Sequence, residues 1–368
     1  FYRDRVMTTL KARNSLQDIA PYQQGKSELN GNAEPIKLSS NESANGSSPN
    51  AVEAYKAANN TLHRYPDGAQ QALRKAISEV HQLPFDQIVC GNGSEELIGL
   101  TIRSYIAPGD EVILTRNHFI MSRIHASAQG ASVILAEECN NVADVDHILS
   151  AVSRKTRMVV LSNPNNPTGT YVKVGDIARL VEALPESVIL ILDGAYAEYV
   201  CEHDYEDGAR YAIEKSNVVV THTFSKIYGL AGARIGWAVA ATGIIETINR
   251  IRTPFNANTP AMAAATAAMR DRAFVDNARE ENRQALNRLL PAIRKLGFDV
   301  TDSVANFYLI DVTAVAGASA DNAITFLEQK NIIVRPADDD DCVRITVGTN
   351  IENDLVIDAL TEYRGSLS

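Results

Sequence analysis

The sequence predicts an α/β protein with a large, mostly parallel sheet domain and a smaller α+β domain. The first observation is a set of short, continuous apolar runs rich in Val and Ile, which are typical of strands buried on both faces of a sheet. These runs lie at residues 157–162, 188–192, 217–221 and 235–240. Helical patterns such as 174–184 separate them, and this alternation indicates a parallel sheet. The third observation is a change of composition after Pro260, where an Ala-rich stretch precedes a long charged helical pattern.

The segments before the first of these runs follow the same alternation. Residues 1–50 are polar and punctuated by Pro and Gly, which predicts an arm with little regular structure that ends in a loop rich in Asn, Ser and Gly. Periodic apolar residues predict helices at 52–59, 70–81 and 94–106. Short apolar runs predict strands at 87–90, 111–115 and 132–136.

The C-terminal part predicts a different architecture. Helical patterns cover 261–269, 274–296 and 320–329, and strands are predicted at 306–312, 332–335 and 343–347. We therefore predict three parts: an N-terminal arm (1–50) that joins the small domain, a large α/β domain (51–260) and a small α+β domain (261–368).

Composition excludes several classes of protein. The 368 residues contain 35 Lys and Arg and 45 Asp and Glu, a net charge of −10 that argues against a nucleic-acid binder. The apolar runs are too short to span a bilayer, and the first residues carry no apolar stretch typical of a secretory signal. The four cysteines form no C-x-x-C pair, so we expect reduced thiols, no metal site and a cytoplasmic location.

The segment 221–236 carries the most specific chemical pattern. Thr223, Ser225 and Lys226 stand at the end of a predicted strand, and a Gly-rich turn with Arg234 follows. Lysine forms Schiff bases with aldehydes, and hydroxyl and guanidinium groups bind phosphate. Taken alone, a surface lysine beside a turn is an equally good interpretation.

Three other segments also place polar residues directly after a predicted strand. Asp193 closes the run 188–192, and Tyr196 follows three residues later, at the sheet edge where ligands bind in open α/β sheets. The loop 91–96 joins a strand to a helix, so its amides and the helix N-terminus form an anion site, or only an N-cap at Ser94. The Asn- and Pro-rich segment 162–169 is by itself only a turn.

Together these segments resemble the fold-type I pyridoxal-phosphate aminotransferases of class I and II. Within that family the sequence is most similar to the histidinol-phosphate subfamily. The segments that match this subfamily are 20–26, 38–42, 64–68 and 344–349. One departure is Gly194, where the family usually has Glu in an Asp-Glu-Ala-Tyr motif.

The resemblance implies pyridoxal 5′-phosphate as the cofactor and assigns roles by position. Lys226 would form the Schiff base and move protons, and Asp193 would pair with the pyridine nitrogen. Asn166 and Tyr196 would bind the ring hydroxyl, and Phe119 would stack on the ring, with core packing as the alternative role for Phe119.

The phosphate and the dimer are also implied by the resemblance. The phosphate would be bound by Gly93, Ser94, Glu95, Thr223, Ser225 and Arg234. Tyr65 would reach the phosphate of the partner subunit, unless it only packs in the core. The resemblance thus implies a homodimer with shared active sites.

For the substrates, the resemblance implies that Arg344 holds a carboxylate, that Arg335 and Tyr22 hold the substrate phosphate, and that Asn41 lies in the substrate pocket. The implied reaction is ping-pong transamination between histidinol phosphate and 2-oxoglutarate. The acidic run 338–341 lies between the two arginines and either faces solvent or repels a phosphorylated substrate. Alternatives are an aromatic or other amino-acid aminotransferase, a threonine-phosphate decarboxylase-like enzyme, or a non-catalytic protein on this fold.

Overall fold

The structure is a computed structural model that describes residues 10–29, 34–337 and 341–367. Its strands, in chain order, are β1 (Ile36–Lys37), β2 (Ile88–Gly91), β3 (Glu111–Thr115), β4 (Ser132–Ala136), β5 (Glu138–Cys139), β6 (Val142–Ala143), β7 (Thr156–Ser162), β8 (Ile189–Asp193), β9 (Val218–Thr223), β10 (Gly236–Ala240), β11 (Asp299–Val300), β12 (Phe307–Asp311), β13 (Ile332–Ile333), β14 (Arg335–Pro336) and β15 (Cys342–Thr346).

The helices are α1 (Asn14–Gln17), α2 (Pro49–Ala57), α3 (Gln71–His81), α4 (Ser94–Tyr105), α5 (Ile120–Ala128), α6 (Val145–Ser150), α7 (Val174–Ala183), α8 (Ala209–Glu214), α9 (Thr242–Ile251), α10 (Thr259–Arg270), α11 (Arg272–Lys295), α12 (Ala320–Gln329) and α13 (Asn350–Ser366). In the described part of the chain, no helix is both long and apolar enough to cross a membrane.

A seven-stranded sheet forms the centre of the larger part, with the strand order β2-β10-β9-β8-β7-β3-β4. β10 runs antiparallel to both of its neighbours, and the pairs from β9 to β4 are parallel. Alternate residues of β8 face two different cores: Leu190 and Leu192 face one, Ile191 the other. The prediction of a large, mostly parallel sheet buried on both faces is therefore confirmed.

A four-stranded antiparallel sheet, β11-β12-β15-β14, forms the centre of the smaller part. The predicted single strand at 332–335 is wrong, because the chain changes partners at Val334. β13 pairs with β1 in a parallel two-stranded sheet, whereas β14 pairs with β15. Through β1 and the buried Leu38, the N-terminal segment shares the core of the smaller part.

Two helices, α10 and α13, differ in position or existence from what the predicted organisation contained. α10 spans the predicted boundary at residue 260, and its Ala265 and Met269 belong to a core of the seven-stranded sheet. The three-part division itself stays a prediction. α13 lies where no helix was predicted, although a Thr349–Glu352 capping box marks its start.

Candidate active site

A cavity of about 390 Å³ opens at the carboxyl edge of the seven-stranded sheet. Its wall includes Ser162, Asp193 and Thr223, the last residues of β7, β8 and β9. The carboxyl ends of parallel strands meet at one edge, so side chains distant in sequence converge there. The volume lies within the range of about 300–1,000 Å³ that is usual for small-molecule sites.

One end of the cavity is suited to an anion. Gly93 has a φ of +91° and precedes α4, whose first amides have no partner within the helix. That φ favours glycine, and a Cβ at this position would lie 2.9 Å from Arg234 Nη2 and displace the guanidinium. Arg234 Nη1 lies 3.4 Å from Ser225 Oγ. The remaining predicted phosphate ligands also line the cavity: Ser94, Glu95 and Thr223.

Lys226 lies in the same cavity, and its Nζ donates a hydrogen bond to the Ser40 carbonyl at 3.1 Å. The same Nζ is 5.6 Å from the ring centroid of Tyr196. Burial, followed by the positive charge of Arg344, lowers the pKa of Lys226 to about 7. A substantial fraction of this amine is therefore neutral near pH 7, the form that attacks a carbonyl carbon.

Asp193 is the buried carboxylate of the site, with 5 % of its surface exposed. Its Oδ1 accepts a hydrogen bond from Thr221 Oγ1 at 3.0 Å. Burial raises the pKa of Asp193, while the Thr221 hydroxyl and the charges of His222 and Lys226 oppose that rise. The carboxylate thus lacks a cationic partner at hydrogen-bond distance within the described residues, which suits it to a protonated ring nitrogen.

Tyr196 and Asn41 form a buried pair. Asn41 Nδ2 donates to the Tyr196 hydroxyl oxygen at 3.0 Å, and the Tyr196 ring meets Phe307 edge-on with centroids 4.9 Å apart. Burial raises the pKa of Tyr196 to about 12, so the phenol stays protonated near neutral pH. Asn41, predicted in the substrate pocket, is not among the residues that line the described cavity, and its amide holds the Tyr196 hydroxyl.

Asn166 and Phe119 complete the predicted cofactor set on the cavity wall. Asn166 Oδ1 accepts a hydrogen bond from Arg344 Nη1 at 2.6 Å. Arg344 Nη2 also donates to the Ser39 carbonyl at 2.8 Å. The predicted carboxylate-binding arginine therefore lies directly beside the cavity, with its guanidinium fixed at two points.

The predicted ligands of the substrate phosphate lie further out. The Arg335 guanidinium carbon is 5.6 Å from the ring centroid of Tyr22, and Arg335 Nη2 donates to the Gln23 carbonyl at 2.9 Å. The structure thus brings Tyr22 and Arg335 together, but neither lines the described cavity. Of the acidic run between the two arginines, residues 338–340 lie outside the described part.

Tyr65 differs from the other predicted cofactor residues. It is 83 % exposed, stacks on Phe255 at 4.7 Å and does not line the cavity of its own chain within the described residues. Its predicted contact with a partner subunit stays a prediction.

Several cavity residues were not predicted. The additional wall residues are Ser40, Glu42, Ser162, Ala195, Ala231 and Gly232. Glu42 forms an ion pair with Lys37 at 2.9 Å, and its charge opposes the lowering of the Lys226 pKa. A carboxylate inside the matching segment 38–42 was the available signal for Glu42.

This donor set fits pyridoxal phosphate. The anion end combines helix amides, two hydroxyls and a guanidinium around a glycine that leaves space for a phosphate. Lys226 and Asp193 stand on the same wall, so one molecule can present an aldehyde to the first and a ring nitrogen to the second.

Comparisons with known proteins agree with this geometry. The model of the family "aminotransferase class I and II" matches residues 33–360. A histidinol-phosphate aminotransferase of Rhodopseudomonas palustris (strain BisA53) is 45 % identical over 353 residues, which cover 94 % of this chain and 96 % of that protein. One of Paramagnetospirillum magneticum is 43 % identical over 98 % of this chain and all of that protein.

Solved structures show the same fold. The histidinol-phosphate aminotransferase of Sinorhizobium meliloti, in complex with pyridoxal-5′-phosphate, superposes with a TM-score of 0.85 at 27 % identity over 91 % of this chain and 92 % of that chain. A variant of Thermus thermophilus aspartate aminotransferase reaches 0.82 at 20 % identity, over 96 % of this chain and 99 % of that chain, and supports the fold alone. With this cavity, this fold and a family match over most of its length, the chain belongs to the class I and II aminotransferases.

Proposed function

We propose that this protein is a histidinol-phosphate aminotransferase that uses pyridoxal 5′-phosphate and transfers the amino group to 2-oxoglutarate in histidine biosynthesis. The observation that carries the proposal is one cavity lined by Lys226, with its lowered pKa, by the Asp193 carboxylate and by the residues of the anion end. The names of the relatives that are 43–45 % identical over nearly the whole chain support the choice of amino donor.

The cofactor, when bound, supplies an aldehyde that condenses with amines and a ring that delocalises electrons from the substrate carbon. Asp193 would hold the ring nitrogen protonated, and Asn166 and Tyr196 would bind the ring hydroxyl. Phe119 would cover the ring face. The phosphate would be held by Gly93, Ser94, Glu95, Thr223, Ser225 and Arg234.

The chain's own groups then direct the proton transfers. Lys226, once its amine is free, would take the proton from the amine-bearing carbon of the donor and hold it on its Nζ for return during the same half-reaction. The donor leaves as a carbonyl compound, and the 2-oxo acid leaves as its amino acid in the second half of a ping-pong cycle. Arg344 would bind the carboxylate of the 2-oxo acid, and Arg335 with Tyr22 the phosphate of the donor.

A homodimer with shared sites belongs to the same proposal. Large apolar side chains are exposed on α2 and the segment after it, together with Phe255. They are Val52, Tyr55, Leu62 and Tyr65. Burial of this surface against a second copy would place Tyr65 in the subunit interface. Sedimentation of the purified protein tests whether it is a dimer. The cytoplasmic location is likewise a proposal.

The test of the amino donor is a single half-reaction. The cofactor-loaded protein is mixed with histidinol phosphate without any acceptor, and loss of the long-wavelength absorption of the bound cofactor is followed. We expect complete loss and one equivalent of carbonyl product per site. If the absorption persists with histidinol phosphate and is lost with aromatic amino acids, the proposed donor is wrong. Release of carbon dioxide from threonine phosphate would instead indicate a decarboxylase.

A further inference from the structure

A second cluster of ionisable groups lies directly behind the cavity. His222, 1 % exposed, stands on β9 between Thr221 and Thr223. Its Nδ1 is 3.0 Å from Glu198 Oε1, and its Nε2 is 3.3 Å from Asp207 Oδ2. The ring stacks on Trp237 with centroids 4.3 Å apart and an interplanar angle of 8°. The reaction as described so far assigns this cluster no role.

The two carboxylates indicate the charge of the ring. A neutral imidazole offers one N–H and one lone pair, so one of the carboxylates would face a lone pair. An imidazolium carries an N–H on each nitrogen, so it donates to Glu198 through Nδ1 and forms an ion pair with Asp207, although Nε2 lies outside hydrogen-bond geometry. Burial alone would lower the pKa of His222, but Glu198 and Asp207 outweigh burial and raise it to about 10. The neighbouring His81, with its ring centroid 6.0 Å away, has a pKa lowered to about 4 by burial and by His222, so it is neutral.

This cation is adjacent to the catalytic carboxylate through Gly194. A Cβ at Gly194 would lie 3.3 Å from His222 Cε1 and 3.2 Å from the Thr221 carbonyl oxygen, so glycine lets the ring approach the backbone next to Asp193. The Gly194 amide donates to that same Thr221 carbonyl at 2.8 Å. After the Thr221 hydroxyl, the charge of His222 is the largest influence that lowers the pKa of Asp193.

The same cluster also connects two segments of the active site. Glu198 lies two residues after Tyr196, and its backbone carbonyl accepts a hydrogen bond from Arg279 Nε on α11 at 2.6 Å. His222 therefore links the strand that leads to Lys226 with the segment that carries Tyr196.

We propose that His222 is a positioning residue: held as an imidazolium between Glu198 and Asp207, it keeps Asp193 ionised and in place for the cofactor nitrogen. The proposal rests on the proposed function, because the role of Asp193 requires the cofactor. It also accounts for Gly194, the position at which the chain departs from the usual family motif.

The test compares His222→Gln with His81→Gln, a matched control that removes a neutral histidine from the same cluster. The dissociation constant of pyridoxal phosphate is measured on the cofactor-free protein between pH 6.5 and 10.5. For His222→Gln we expect weaker binding that is largest at the low-pH end of the range, up to about tenfold for a change of one in the pKa of Asp193, because a protonated Asp193 cannot pair with the ring nitrogen. The difference from wild type should vanish above pH 10, where wild-type His222 loses its charge. His81→Gln should match wild type throughout.

A second variant and a second measurement keep the test decisive if His222→Gln folds poorly. Asp207→Asn retains the packing, and the pH at which cofactor binding weakens should move below that of wild type.

On the cofactor-free wild type, the stabilisation due to His222 should be complete below pH 6.5 and lost as pH rises toward 10, since the folded pKa is raised. Equal, pH-independent weakening in both His→Gln variants would overturn the proposal. Failure of wild type itself to bind the cofactor would instead refute the proposed function.

Discussion

The two ends of the active site are built differently. At the cofactor end, Asp193 and Thr223 are the final residues of neighbouring buried strands and are 5 % and 4 % exposed. At the substrate end, Tyr22 is 46 % exposed and lies on an irregular segment that Arg335 contacts through a backbone carbonyl. Backbone hydrogen bonds of the sheet fix the positions of Asp193 and Thr223, whereas a few contacts between distant segments fix Tyr22 and Arg335. The cofactor end is therefore preorganised in the folded chain, and the substrate end depends on how the N-terminal segment lies.

The largest effect that tests this contrast is expected from Lys226→Ala. This change removes both the nucleophile and the proton carrier, so we expect transamination to fall at least about 10⁴-fold. Turnover of histidinol phosphate measures it, with circular dichroism to verify folding. Lys75→Ala, an exposed lysine on α3, is the control and should retain wild-type turnover. Activity in Lys226→Ala close to that of wild type would contradict the catalytic role of this lysine.

Arg344→Lys tests the boundary between the two ends. Arg344 binds both Asn166 and the Ser39 carbonyl, and lysine cannot reproduce its planar fork. We expect the KM for 2-oxoglutarate to rise about 10- to 100-fold, because charge-assisted hydrogen bonds contribute about 1.5–3 kcal/mol. Steady-state kinetics with each substrate varied in turn measure the change. An unchanged KM would place the 2-oxo acid elsewhere.

Arg335→Gln sharpens the comparison at the outer end. The variant loses a cation proposed to bind the donor phosphate, so we expect the KM for histidinol phosphate to rise about tenfold. The KM for 2-oxoglutarate should stay the same, which distinguishes the loss of one contact from general damage. Arg288→Gln, on the exposed face of α11, is the matched control. Equal effects on both substrates would refute a selective role.

The smallest effect concerns stability rather than turnover. The pKa of Lys226 is lowered from 10.5 to about 7 in the folded chain, so the unfolded chain binds more protons between these pH values. The contribution of Lys226 to the free energy of unfolding of the cofactor-free protein should therefore rise with pH across this window, opposite in sign to that of His222, and the difference between wild type and Lys226→Met isolates it. Lys226→Met should abolish this dependence and be more stable near pH 7 by on the order of 1–2 kcal/mol, after allowance for solvent screening. Denaturant titrations at several pH values measure both, and parallel curves for the two proteins would contradict the lowered pKa.

Sequence reasoning reached most of the cofactor end because its signals are local. The run that ends in Asp193 and the pattern from Thr223 to Lys226 each contain a strand and the polar residues that follow it, and the parallel topology makes those ends converge. Eleven of the twelve predicted cofactor ligands lie on one cavity wall. The exception, Tyr65, was predicted to act on a second subunit.

The sequence was a weaker guide where function depends on contacts between distant segments. The strand at 332–335 was divided because β1, almost 300 residues earlier, pairs with its first half. Glu42 lines the cavity from the loop before α2, and its one sequence signal was its place in the family-matching segment 38–42, because no periodic pattern marks a loop carboxylate as a wall residue. Gly194 was visible only as a departure from a motif, and its reason lies in His222 on the neighbouring strand.

The amino-acid sequence by itself determined the class of the fold and the positions of the main strands along the chain, because both follow from periodicity within short segments. The residues assigned to a phosphorylated aldehyde follow from the family resemblance of the motifs at the strand ends. Only the tertiary structure decided the placement of His222 between Glu198 and Asp207, the lowered pKa of Lys226 and the hydrogen bond between Asn41 and Tyr196. Each of these depends on burial and on the distance between groups far apart in the chain, and electrostatic interactions act through space rather than along the sequence.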